Sequence, residues 1–331
     1  MNKNYIILFL VIIVISAALI KISDSGEKTD TGKTKISIVL DYVPNTNHTG
    51  IFAAKEKGFY DELGLDVNII SAVEDGALNM VSSGSADFGI SFQEELAVAL
   101  SLDSPMSVTA VAAVIENNTS GIVSLKDKGI TRMKDLEGKS YATWNTPVYD
   151  AIIKNAVEAD GGNFEKVKPV PVNSTDSLAS IQTECDAVWV FEGWDKAIAD
   201  YMEIETNFIP FADYGSQFNY YTPVIICSDV FTETRKNDAS RFMAATKKGY
   251  IYAMDNPDEC AEIMSKHIPE MEKGKLLASQ RLLSAKYANS KQNWGLIDQA
   301  RWDGFFEFLY NENIISKSIP KGKGFTNEFL K

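Results

Sequence analysis

The string Asp41-Tyr-Val-Pro-Asn-Thr-Asn-His-Thr-Gly50 is the most polar of five short clusters whose side chains could hold a small molecule. It joins an apolar, β-branched run (36–40) to a helical-looking run (51–60), the junction at which open α/β sheets place their ligands. Seven of its ten side chains can hydrogen-bond, and Asp41, Asn45, His48 and Thr49 are the candidate contacts. Thr49 and Gly50 also stand where a helix start leaves backbone N–H groups free. The same residue types suit an ordinary turn ending in a helix cap, so both readings stay open.

The other clusters also fall at expected strand ends. Ser91-Phe-Gln-Glu-Glu95 leads into a helix, whose dipole alone accounts for Glu94 and Glu95 but not for Ser91 and Gln93. In Tyr141-Ala-Thr-Trp-Asn-Thr-Pro-Val148, Pro147 suits a first helical position. Trp144 there either lies against a ligand or anchors a core. Trp189-Val-Phe-Glu-Gly-Trp-Asp195 sets two indoles, a phenyl ring and two acids around one glycine. Indoles stack on planar heterocycles, and Glu192 or Asp195 could accept from an exocyclic amine. Buried indoles with acids at a helix start are the other reading. Phe218-Asn-Tyr-Tyr-Thr-Pro223 offers Tyr220 and Tyr221, of which an extended backbone can turn only one toward a cleft.

Catalysis and metal binding find little support. There is no G-x-S-x-G elbow, H-E-x-x-H pair or phosphate loop, and only two histidines. The three cysteines are widely spaced, and Cys227, ending an apolar run, reads as a small core residue. A net charge of −13 argues against nucleic acid and anionic lipid surfaces. Aromatic rings, amides and acids together suit the binding of a small, planar, hydrogen-bonding molecule.

Several elements must position these clusters. Residues 1–22 contain an apolar run from Tyr5 to Ile20, read as a signal peptide or an uncleaved membrane anchor, so the remainder is expected outside the cytoplasm. Residues 23–34 read as a flexible linker. Beyond it, nine strand-like segments alternate with ten helix-like ones, which predicts α/β lobes with parallel sheets. Crossovers near 116–121 and 226–229 would divide the chain into one lobe of 35–122 and 225–331 and another of 123–224. Two crossovers make a hinge around a cleft.

From about Lys35 onward the chain resembles the periplasmic-binding-protein family of sulfonate and thiamine-pyrimidine-precursor binders. The resemblance rests on Pro44-Asn-Thr-Asn-His-Thr-Gly50, Ala54-Lys-Glu-Lys-Gly-Phe-Tyr60, Gly84-Ser-Ala-Asp-Phe-Gly89, Met133-Lys-Asp-Leu-Glu-Gly-Lys139, Trp189–Asp195 and Tyr221-Thr-Pro-Val224. It implies a two-lobed α/β fold of the type II periplasmic-binding-protein kind with a central ligand cleft, acting as a monomer without cofactor. It further implies a solute-binding protein that delivers a thiamine-related aminopyrimidine to ABC permease subunits. Riboflavin and sulfonate are the alternatives, but a sulfonate needs a positive site and none of the five clusters holds lysine or arginine. The same superfamily contains a thiamine-pyrimidine synthase with a cofactor-binding lysine, and Ser91 stands in that position here. Glu192 and Asp195 stand where an aromatic and a glutamate are usual, which points to an amine-bearing ligand.

Overall fold

The computed structural model of the protein describes residues 32–72, 76–143, 146–171 and 176–331. The apolar run 5–20, nearly all of the linker, Trp144 and Asn145 lie outside the described residues. Among the described residues no helix is long and apolar enough to cross a membrane.

The chain opens with β1 (Thr34–Val39), which buries Ile36 and Ile38 by simple alternation, and the loop 40–48 joins it to α1 (Thr49–Glu56). Gly58, at φ +74°, breaks the expected helix over 50–60 and starts α2 (Phe59–Glu62). There follow β2 (Leu65–Ile70), α3 (Gly76–Ser82), β3 (Phe88–Ser91), α4 (Gln93–Leu100) and β4 (Thr109–Ala113). A second series runs through β5 (Ser120–Leu125), β6 (Ser140–Thr143), α5 (Pro147–Ala159), β7 (Lys168–Pro171) and α6 (Ser177–Thr183). It ends with β8 (Ala187–Phe191), α7 (Ala197–Tyr201) and β9 (Thr206–Pro210). The chain then adds β10 (Val224–Cys227), α8 (Asp229–Thr234), α9 (Lys236–Asp255), α10 (Pro257–His267), α11 (Lys273–Ser284) and α12 (Gln299–Asn311).

These strands form two five-stranded sheets, ordered β2-β1-β3-β10-β4 and β7-β6-β8-β5-β9. The sheets are not purely parallel. β10 runs antiparallel between β3 and β4, and β5 runs antiparallel to both β8 and β9. β9 has no counterpart among the nine expected strands: it is an edge strand whose residues other than Ile209 are all partly exposed, so it lacks the apolar run that marks the others. Residues 120–122 pair in the second sheet and Val224 in the first, a shift of a few residues from the expected boundaries. The return crossing occupies 211–223, before β10, and not 226–229.

The first lobe is closed by long helices. In α9, Ala239, Phe242, Met243, Thr246, Gly249, Tyr250 and Ala253 are buried at helical spacing. Phe242 stacks between Tyr60 and Phe88, with centroids 5.4 and 4.1 Å away. α1 and α9 cross in backbone contact: a Cβ at Gly249 would lie 2.0 Å from the Gly50 carbonyl oxygen, and one at Gly50 would lie 2.2 Å from the Tyr250 ring.

The two crossings are bonded to each other. Asn118 donates its backbone N–H to Asn219 Oδ1 (2.8 Å) and its amide to the Phe218 carbonyl (2.7 Å). Arg301, from α12, donates to the Glu116 carbonyl (2.6 Å) and to the Asn219 carbonyl, and lies 3.9 Å over the Tyr221 ring. One guanidinium thus ties the two connecting segments together.

Candidate functional site

A cleft lies between the lobes at the carboxyl ends of β1, β3, β6 and β8, where an α/β sheet exposes its loops. It has two chambers of about 390 and 520 Å³ that share Asp41, Phe92 and Tyr149. Both volumes fall in the range of small-molecule sites, about 300–1,000 Å³.

The smaller chamber is bordered by the loop after β1 and the corner after β8. Tyr42 and Asn45 face it from the first lobe, and Trp189, Phe191, Trp194 and Asp195 from the second. The corner is a π-helical turn, Glu192–Lys196, which places Trp194 and Asp195 at the chamber. Trp189 is itself only 4% exposed and packs on Tyr149 (4.6 Å) and Phe211 (4.1 Å), so Trp194 presents the more accessible indole. Burial pushes the Asp195 carboxyl up to about 6, against the opposing effect of a Ser177 hydrogen bond. Asp41 accepts from His48 Nε2 at 2.6 Å, while His48 Nδ1 takes the Asn45 backbone N–H, an arrangement that assigns the ring proton to Nε2. Asn45 caps the turn by accepting from the Asn47 N–H (2.9 Å) and donates to the Val43 carbonyl, leaving its second amide hydrogen for other partners.

Several expected contacts are structural instead. His48 and Thr49 are buried behind the loop, with Thr49 Oγ1 donating to Gln280 (2.6 Å) and Tyr287 donating to the Thr46 carbonyl (2.6 Å). These bonds fix the loop from behind, so His48 acts on the cleft through its bonds to Asp41 and to the Asn45 backbone. Ser91 is buried and donates to Glu95 at 2.7 Å. Gln93 is buried at the hinge, where its carbonyl accepts from the Tyr221 N–H (2.8 Å) and its amide donates to the Trp302 carbonyl (2.9 Å). Tyr221 accepts from the Asp298 N–H (2.9 Å), and Tyr220 stacks on Phe305 at 4.0 Å, so neither tyrosine reaches the cleft. Glu192 is turned away as well, into an ion pair with Lys286 (2.9 Å). Trp144 lies outside the described residues.

The π-turn is also the point where α11 meets the second lobe. Ser279 donates to the Gly193 carbonyl and pairs with Thr46 Oγ1 at 2.6 Å. Tyr201 donates to Glu272 at 2.6 Å, and a Cβ at Gly193 would lie 2.3 Å from Leu283. Close lobe contact therefore requires glycine at 193.

The larger chamber is lined mainly by apolar side chains, with Asp41, Glu94 and Glu95 as its ionisable acids. Burial pushes the Glu94 carboxyl up to about 8. The Glu95 carboxyl is raised too, first by loss of water and against its Ser91 hydrogen bond, while the residue keeps an edge open to solvent. Glu94, Tyr149, Phe92, Trp194 and Tyr42 were missed as candidates. Glu94 had a sufficient explanation at a helix start, and only the position of Tyr149 in the first turn after Pro147 hinted at its role.

Two α/β lobes hinged by two crossings around a cleft make the periplasmic-binding-protein fold. The periplasmic aliphatic sulphonate binding protein SsuA from Escherichia coli shares it, with a TM-score of 0.66 at 14% identity over 86% of this chain and 94% of that one. The chain belongs to the NMT1/THI5-like family, whose model matches residues 45–260. It is 25% identical to the formylaminopyrimidine-binding protein of Halalkalibacterium halodurans over 335 residues, covering 98% of this chain and 99% of that protein. It is also 22% identical to the 4-amino-5-hydroxymethyl-2-methylpyrimidine phosphate synthase of Legionella pneumophila, over 90% of this chain and 93% of the enzyme.

Proposed function

We propose that this chain is an extracytoplasmic solute-binding protein that captures an aminopyrimidine of the thiamine-precursor kind for the permease of an ABC importer. The observation that carries the reading is the 390 Å³ chamber: aromatic rings form its walls, and its ionisable acids are Asp41 and Asp195. Trp194 stacks on the pyrimidine, Asp195 accepts from the exocyclic amine, Asn45 donates its remaining amide hydrogen to a ring nitrogen, and Asp41 accepts from the hydroxyl or N–H of the 5-substituent. Residues 34–113 with 224–331 move against 120–210 about the Arg301 clamp, and α11 docks on the π-turn when the ligand is enclosed. The apolar run 5–20 exports the chain and, if uncleaved, tethers the monomer beside its permease.

The similarity to the Halalkalibacterium protein supports this ligand class. Synthesis of the pyrimidine is disfavoured, because Ser91 is buried on Glu95 and, among the described residues, neither chamber is lined by a lysine. Sulfonate is disfavoured by acidic walls without an arginine or lysine among the lining residues. Thermal-shift measurements on the purified chain decide among these. Formylaminopyrimidine or its hydroxymethyl relative, at a hundred times its Kd, should add about 2.7 kcal/mol of stability. Stabilisation by an alkanesulfonate alone refutes the proposal.

A further inference from the structure

The larger chamber holds more room and more acid than a bare pyrimidine needs. Its volume of about 520 Å³ adds to that of the chamber with the tryptophans, and Leu102 and Met106 contribute to a largely apolar wall. Into it face Asp41, Glu94 and Glu95, and among the described residues no lysine or arginine lines it. Two of these acids stand in the first turn of α4, where a helix dipole favours carboxylates, so acidity alone would carry no weight. Glu94 supplies the second observation. It is 4% exposed, and its Oε2 has no hydrogen-bond partner among the described residues, although the Tyr149 hydroxyl is hydrogen-bonded to the carboxyl group.

A buried carboxyl oxygen without a partner is costly and calls for a reason, and at the wall of a ligand chamber a bound donor supplies one. The high proton affinity of Glu94 agrees, since the group has lost water without gaining a counter-charge. Glu95, Tyr149 and Tyr220 are the titratable groups acting on it, and none of them is cationic. We propose that this chamber is a second subsite, which takes an ammonium group on a short apolar arm borne by the same ligand. The inference rests on the aminopyrimidine reading for the first chamber. It moves the amine preference expected at Glu192 to Glu94, Glu95 and Asp41, because Glu192 is already paired with Lys286.

The test is calorimetric titration of the full chain with two aminopyrimidines that differ only at the 5-substituent. The aminomethyl compound is an ammonium ion at pH 7, and the hydroxymethyl compound is neutral. The wild type should prefer the ammonium compound by about tenfold or more, the effect of one charge-assisted bond. The Glu94→Gln/Glu95→Gln variant should reduce that ratio to about twofold or less. Equal affinities in the wild type, or a ratio that survives in the variant, overturns the subsite. Thermal shifts with hexylammonium and hexanol separate the two readings should neither pyrimidine bind, an outcome that sinks the aminopyrimidine assignment. A rise in Tm with hexylammonium alone, abolished in the variant, upholds the subsite, and like responses to both compounds, or to neither, remove it.

Discussion

Asp195→Asn should make the empty protein more stable while weakening ligand capture. The Asp195 carboxyl titrates near 6 in the folded chain, raised from the usual 3.8 chiefly by burial. The folded state therefore holds this proton more tightly than the unfolded one. Stability is lost as pH rises from about 4 through about 6, and the deficit is complete above that window. Lifting the carboxyl from 3.8 to about 6 corresponds to about 3 kcal/mol. The asparagine oxygen can still accept from Ser177, so the substitution should recover about 1.5–3 kcal/mol at pH 7.5, or roughly 3–6 °C in Tm. At pH 4 the two proteins should melt together. Affinity for an aminopyrimidine should fall by about 10- to 100-fold, the loss expected for a hydrogen bond to a charged acceptor. Urea titrations at pH 4, 5.5 and 7.5 measure the first effect and calorimetry the second. Parallel pH–stability curves for the two proteins would show that Asp195 is not a desolvated cleft acid.

Three further substitutions separate hinge, interface and cleft. Gln93→Ala removes both bonds that hold Tyr221 and Trp302, so it should lower stability by about 2–4 kcal/mol in urea while leaving the Kd of the folded fraction within about twofold. Large affinity loss at unchanged stability would return Gln93 to the binding site. Gly193→Ala places a methyl group against Leu283 and should hold the lobes apart, giving a larger radius of gyration by X-ray scattering and roughly tenfold weaker binding. An unchanged radius would contradict the docking role of α11. Glu192→Gln breaks a half-exposed ion pair worth about 0.2–1 kcal/mol. It should weaken cationic and neutral ligands alike, by at most about fivefold, with the difference shrinking at high salt; a loss confined to cations would place Glu192 in the cleft.

Much of the fold was legible because strand alternation and helical periodicity are local. All nine expected strands occur, and the strand-to-helix corners do converge on one cleft. What stayed hidden is set by partners far away in sequence. In the loop after β1, Asp41 and Asn45 turn toward the cleft, while Thr46, His48 and Thr49 turn back. That division depends on Ser279, Gln280 and Tyr287, more than 230 residues later, which no local pattern announces. Gln93 and Tyr221 have the chemistry of ligand contacts, but β10 returns beside β3 and makes them hinge bolts. At the tryptophan corner the directions of the side chains depend on a backbone turn that no local pattern announces. A π-turn rotates Trp194 and Asp195 inward and leaves Glu192 to Lys286, an outcome that ordinary helix geometry does not predict.

The central claim is that the chamber between Tyr42 and Trp194 recognises an aminopyrimidine through an indole face and a carboxylate. Isothermal titration of the protein with 4-amino-5-hydroxymethyl-2-methylpyrimidine, beside its Trp194→Ala and Asp195→Asn variants, tests that claim most directly. The account predicts one site per chain with a Kd of about 1 μM or tighter, weakened at least about tenfold by either substitution. Absence of binding by the wild type, or full affinity in both variants, would contradict it.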